Sequence, residues 1–168
     1  MHILLTGAPG VGKSTLIDRL TAALDVPVGG FRTKKEAPRP DGLCPVYIHP
    51  AAEERHFGAD NLAGLCAVRV AARYPEVFET LGTVYLDTPA PLIVMDELGI
   101  LEKDAAAFQQ KVLSLLGGDR PVLAAVKAKD TPFLSAVRSC PKARLFTVTE
   151  DNRDALFDEI LPLLTAQI

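Results

Sequence analysis

The alternation of apolar and polar positions changes period several times along the chain, and each change marks an element. Ile3 to Thr6 is a short apolar run stopped by Gly7, while from Lys13 onward Leu16, Ile17, Leu20 and Leu24 recur at helical spacing on one face. The opening unit therefore reads as strand, glycine-rich loop, helix. Val28 to Thr33 and Pro45 to Ile48 favour extended structure and flank Ala37-Pro38-Arg39-Pro40-Asp41-Gly42, whose prolines and Asp-Gly pair favour a turn. This predicts an antiparallel hairpin inserted over about residues 28–57. Asn61 to Tyr74 shows no clean period, with Ala67 to Val70 the stretch that best fits a strand; Pro75 to Leu86 fits a helix with proline in its first turn.

Leu92-Ile93-Val94-Met95 is the continuous apolar run that a parallel strand covered on both faces requires, and it ends in Asp96-Glu97. A helix over Ala105 to Leu116 stopped by Gly117-Gly118, a strand from Pro121 to Val126 and a short helix opened by Thr131-Pro132 follow. A strand from Arg144 to Val148 and a last helix from about Asn152, with Pro162 near its end, complete the pattern. Strands alternating with helices predict one α/β domain over residues 1–168, three layers deep, with a mostly parallel sheet and right-handed crossovers.

Composition narrows the classes. The 168 residues are 48% apolar and 23% charged, enough apolar material for one core and too much for disorder. No apolar run approaches the roughly 18 residues of a membrane span. Met1-His2 leads straight into the first apolar stretch without a basic segment, which does not resemble a secretory leader, so a cytoplasmic location is expected. The net charge of −3 argues against general nucleic-acid or membrane binding through bulk electrostatics, so any bound anion must be held locally. Cys44, Cys66 and Cys140 form no metal-ligand spacing, and His2, His49 and His56 form no catalytic pattern.

The local anion site is explicit. Gly7-Ala8-Pro9-Gly10-Val11-Gly12-Lys13-Ser14 matches GxxxxGK[ST], and Thr15 follows at the start of the helix. Glycines let successive backbone N–H groups curl around phosphate oxygens, and the positive end of the helix adds to the attraction. In such a loop Lys13 reaches the β- and γ-phosphates and the Ser14 hydroxyl ligates Mg²⁺. An acid at the tip of a buried neighbouring strand completes the metal site, which assigns Asp96 that role. Glu97, directly after it, is a carboxylate able to orient, or take a proton from, a water in line with the γ-phosphate, which favours hydrolysis.

Together these segments resemble the THEP1-type nucleoside-triphosphatase family. The resemblance covers GAPGVGKSTL from Gly7, GGFRTKKE from Gly29, LIVMDELGILEKDAAAF from Leu92, PVLAAV from Pro121 and TEDNRDAL from Thr149. It implies a three-layer, RecA/ASCE-like phosphate-loop fold and slow, Mg²⁺-dependent hydrolysis of ATP, GTP and other nucleoside triphosphates. It also implies that Asp96 lies on the Walker B strand, that Glu97 is catalytic, and that Glu102, the last acid of the DExGxxE string, sits in the loop beside the nucleotide. The chain departs from the family in three places: Gly42-Leu43-Cys44-Pro45 stands where a basic and a small residue are usual, Ile100 stands where Lys is usual, and the segment Tyr85 to Pro91 is short.

Several assignments stay open at this level. An arginine against the γ-phosphate would speed hydrolysis by powers of ten; Arg32 in the hairpin is the first candidate, with Arg138, Arg144, Arg153 and Lys127 as others. Thr149 to Arg153, including Asn152 and Arg153, reads either as a nucleotide-contacting turn or as an ordinary helix cap by Thr149 or Asp151. A small-molecule or nucleotide kinase is the alternative enzyme, although no arginine-dense lid segment is present. A nucleotide-dependent switch acting on a protein partner is a third reading; the guanine-specific NKxD string is absent and no particular partner is indicated.

Overall fold

The structure is a computed structural model and describes residues 1–168. In chain order it consists of β1 (His2–Thr6), α1 (Lys13–Leu24), β2 (Val28–Lys35), β3 (Cys44–Pro50), β4 (Leu62–Cys66) and β5 (Val70–Arg73). There follow α2 (Pro75–Val77), a π-type turn (Phe78–Gly82), α3 (Thr83–Leu86), β6 (Leu92–Leu98), α4 (Ala106–Gly117), β7 (Val122–Val126), α5 (Pro132–Arg138), β8 (Ala143–Thr147) and α6 (Arg153–Thr165). Pro75 opens the first of these helical segments, and the Thr131 hydroxyl accepts the N–H of Leu134 at 3.1 Å to cap α5, both as their sequence positions predict.

All eight strands form one sheet in the order β5-β4-β3-β2-β6-β7-β1-β8. The β2, β6, β7, β1 and β8 strands run parallel, and β3, β4 and β5 extend the sheet antiparallel beyond β2. Successive side chains alternate faces, which sorts the apolar runs into two cores. Ile3, Leu5, Leu92, Val94, Leu123 and Ala125 pack under α1 and α6, while Leu4, Ile93, Met95, Val122, Ala124 and Val126 pack under the π-type turn and α3 to α5. Phe108 anchors the second core, edge-on to both Phe31 and Phe78. The result is a three-layer α/β fold, and no helix is long and apolar enough to cross a membrane.

Four features differ from the sequence reading or were invisible to it. The stretch Ala67 to Val70 is not a strand of its own: Ala67 to Arg69 make the tight connection between β4 and β5, closed by the Ala67 N–H donating to the Arg69 carbonyl at 2.8 Å with Val68 fully exposed at its tip, and Val70 begins β5. Gly64 obscures β4 in the sequence, yet a Cβ there would lie 2.7 Å from Leu101 and 2.8 Å from the Ala72 carbonyl. The hairpin strand β2 joins the parallel sheet beside β6, with Arg32 opposite Asp96. This close approach requires Gly30, which has φ +95° and whose Cβ would lie 2.0 Å from the Val94 carbonyl oxygen. Finally, β6 is not the immediate neighbour of β1, because β7 runs between them.

Candidate active site

The phosphate loop emerges from the end of β1, where Gly7, Gly10 and Gly12 all hold positive φ. The backbone N–H groups of Gly10, Gly12, Lys13, Ser14 and Thr15 have no acceptor within the protein. A helix start always leaves such donors free, and here they adjoin a loop whose positive-φ glycines permit the curl that gathers successive amides around an anion. Lys13 is buried, and its ammonium donates back to the carbonyls of Gly7 and Ala8, each at 3.1 Å.

The acid pair meets this loop across the strand that separates them. Ser14 Oγ donates to Asp96 Oδ1 at 2.9 Å, and Lys13 Nζ lies 3.3 Å from Glu97 Oε2. Asp96 is almost completely buried, and burial raises its carboxyl to about 6 against the opposing pull of the Ser14 hydroxyl and Arg32. A buried carboxylate and a serine hydroxyl are hard oxygen donors on one point, which fits Mg²⁺. No cluster of three or more His, Cys, Asp or Glu residues surrounds them, so the remaining ligands would be phosphate and water oxygens, the usual manner of Mg²⁺ binding.

The other sequence candidates fall into distinct places. Arg32 reaches the acid pair rather than free space: its guanidinium is 2.6 Å from Asp18 on α1 and 3.4 Å from Asp96 Oδ2. Lys127, immediately past β7, lies 3.4 Å from Glu97 Oε1. Arg138 braces the loop after β7 through the carbonyls of Lys127 and Lys129, and Arg144 pairs with Glu159 across the surface, so neither reaches the site. Glu102 is buried, not open to the cleft. It accepts the N–H of Gly99, and burial raises its carboxyl to about 7. Its visible work is to close the turn that follows Glu97.

At the far end of the loop, Arg153 folds over Gly12, its Cδ and a guanidinium nitrogen each 2.7 Å from where a Cβ would stand. Neither Thr149 nor Asp151 caps α6. Asn152 instead accepts the Thr149 N–H at 2.8 Å and donates to the Thr147 carbonyl at 2.9 Å, which ties the β8–α6 connection beside the phosphate loop. Sequence reasoning missed Asp18 and Thr33. The Thr33 hydroxyl donates to the Asp96 carbonyl at 3.4 Å and accepts the Glu97 N–H at 3.2 Å, holding the backbone that carries both acids. Thr33 lies inside the GGFRTKKE segment, but only the pairing of β2 with β6 gives it that task.

A mostly parallel sheet with a glycine loop bearing free amides at the end of β1, a lysine and serine inside it and two consecutive acids across the cleft define the class of phosphate-loop nucleoside-triphosphatases. The family described as NTPase matches residues 2–161. The chain is 32% identical over 171 aligned positions to the nucleoside-triphosphatase THEP1 of Thermotoga petrophila, covering 98% of this chain and 93% of that one. It superposes on the crystal structure of THEP1 from Aquifex aeolicus with a TM-score of 0.79 at 25% identity, covering 98% and 99% of the two chains. The solution structure of a human cancer-related nucleoside triphosphatase matches with a TM-score of 0.70 at 26% identity, covering 98% and 97%. The chain belongs to this THEP1-type nucleoside-triphosphatase family; it is an enzyme, and nucleoside triphosphates are its substrates.

Proposed function

We propose that residues 1–168 act as one phosphate-loop domain that hydrolyses ATP and GTP slowly, with broad tolerance of the base and with Mg²⁺ as cofactor. The observation that carries this reading is the juxtaposition of Glu97, 3.3 Å from Lys13, with Asp96, hydrogen-bonded to Ser14. The free amides of Gly10 and of Gly12 to Thr15 cradle the phosphates, and the ammonium of Lys13 turns from the Gly7 and Ala8 carbonyls to the β- and γ-oxygens. Ser14 and Asp96 are the residues that would hold Mg²⁺, which when bound would supply neutralisation of negative charge on the phosphates. Glu97 orients a water and takes its proton as the new oxygen–phosphorus bond forms and the bond to the β-phosphate oxygen breaks.

Slow turnover fits the placement of the arginines. Arg32 is committed to Asp18 and Asp96, and Arg153 lies at the Gly12 end of the loop, so neither stands free beside Glu97 to absorb transition-state charge. Arg153 and Asn152 serve nucleotide binding at that end, and Arg32 and Glu102 support the acids. Phosphate release from ATP and GTP, measured with Mg²⁺ and with EDTA, tests the reading. We expect release only with the metal, and a loss of about 10²- to 10⁴-fold in Glu97→Gln while a fluorescent nucleotide still binds. Undiminished release in that variant would overturn the role of Glu97, and faster phosphorylation of an added nucleoside monophosphate than of water would overturn hydrolysis itself.

A further inference from the structure

Glu97 has two cationic partners, and they come from different elements. Lys13 approaches Oε2 from the phosphate loop, and Lys127 approaches Oε1 from the end of β7. Because β7 separates β1 from β6, its end opens midway between the phosphate loop and the acid pair. The Lys127 backbone N–H donates to the Leu98 carbonyl at 2.9 Å, which roots the residue on β6. From that root the side chain crosses Gly99, where a Cβ would lie 2.9 Å from Lys127 Cδ and 3.4 Å from Cε. A residue without a side chain at position 99 keeps that path open. Ile100, next along, brings no charge to this end of the sheet.

We propose that Lys127 is a positioning residue for hydrolysis, holding the carboxylate of Glu97 in place once Lys13 has turned to the phosphates; the proposal rests on the reading of Glu97 given above. Without nucleotide, Lys13 divides its donors among two carbonyls and Glu97. A triphosphate offers that ammonium stronger, charged acceptors. Glu97 then loses one counter-charge at the moment a polyanion arrives in front of it, and a carboxylate facing phosphate oxygens is repelled from its working position. Lys127 keeps Oε1 tethered and leaves Oε2, on the phosphate-loop side, free for the water. Its side chain is 45% exposed, against 7% for Lys13, so it can follow the carboxylate without disturbing the core.

The test is steady-state hydrolysis of ATP by Lys127→Met, which keeps an unbranched stem and removes the ammonium, by Lys127→Arg, by Gly99→Ala, and by Gly99→Ala combined with Lys127→Met. Melting temperatures serve as the folding control. We expect Lys127→Met to lower kcat by about 10- to 100-fold with KM within about twofold, and Lys127→Arg to restore most of the rate. Gly99→Ala, which displaces the Lys127 stem, lowers kcat less, and it costs nothing further in the Lys127→Met background, where no ammonium remains to displace. An unchanged kcat in Lys127→Met, a raised KM at constant kcat, or fully additive losses would each overturn the proposal. Glu97→Gln run in parallel separates the two levels: wild-type turnover in that variant sinks the parent reading, whereas its inactivity beside a fully active Lys127→Met sinks only the role of Lys127.

Discussion

Replacing Glu102 by glutamine changes the way stability depends on pH. The Glu102 side chain is buried, accepts the Gly99 N–H and has its carboxyl raised from 4.5 to about 7 by burial. A raised acid is bound to its proton more tightly in the folded state than in the unfolded one, so it contributes most stability below pH 4.5. That contribution is lost as pH rises through about 7. At about 1.4 kcal/mol for each tenfold change in proton affinity, the gap between 4.5 and 7 amounts to about 3 kcal/mol. Glutamine mimics the protonated acid, keeps an oxygen for Gly99 and does not titrate. We therefore expect the stability of Glu102→Gln relative to the natural protein to improve by about 3 kcal/mol between pH 4 and pH 8, whatever constant offset the amide adds. Urea unfolding curves for both proteins at several pH values, compared at matched ionic strength, measure this directly. Parallel stability–pH curves would refute the reasoning and show that Glu102 ionises in the folded state as readily as in water.

Asp96→Asn follows the same logic on the other buried acid. With its carboxyl raised from 3.8 to about 6, the metal-free variant should exceed the natural protein in stability by up to about 3 kcal/mol above pH 6 and match it below about pH 4, while its phosphate release collapses. Equal unfolding midpoints in urea at pH 8 would contradict this. Gly30→Ala introduces a Cβ 2.0 Å from the Val94 carbonyl at φ +95°, between two hydrogen-bonded strands that cannot part without breaking the sheet. A cost of about 3 kcal/mol or more follows, seen as a fall of roughly 10 °C in Tm by circular dichroism; an unchanged Tm would show that β2 and β6 are not in this register.

The parts of the site that were legible in the sequence are those whose chemistry is consecutive. In Gly7 to Ser14 the glycines that permit the curl, the amides that bind and the lysine and serine that act are all within one short segment, so the motif carries its own geometry. The run Leu92 to Met95 was legible because a strand covered on both faces must be apolar at every position, and both cores do claim its side chains in alternation. The β4 and β5 strands were not legible, because Gly64 interrupts one and an exposed Val68 sits in the turn between them. The resemblance puts Glu102 in the loop beside the nucleotide; what the letters do not carry is that its carboxyl is buried and closes the turn after Glu97 by accepting the Gly99 N–H.

What the sequence determined alone is the phosphate loop, the acid pair and the alternation of strands and helices, since each depends on near neighbours in the chain. Which strands lie side by side was decided by tertiary structure. Placing β7 between β1 and β6 sets Lys127 against Glu97, and placing β2 beside β6 sets Arg32 and Thr33 against the acids. Ser14 and Asp96 are 82 positions apart in sequence and 2.9 Å apart in space. Lateral strand order is settled by packing both faces of the sheet at once, a global condition to which every helix contributes and which no local pattern encodes.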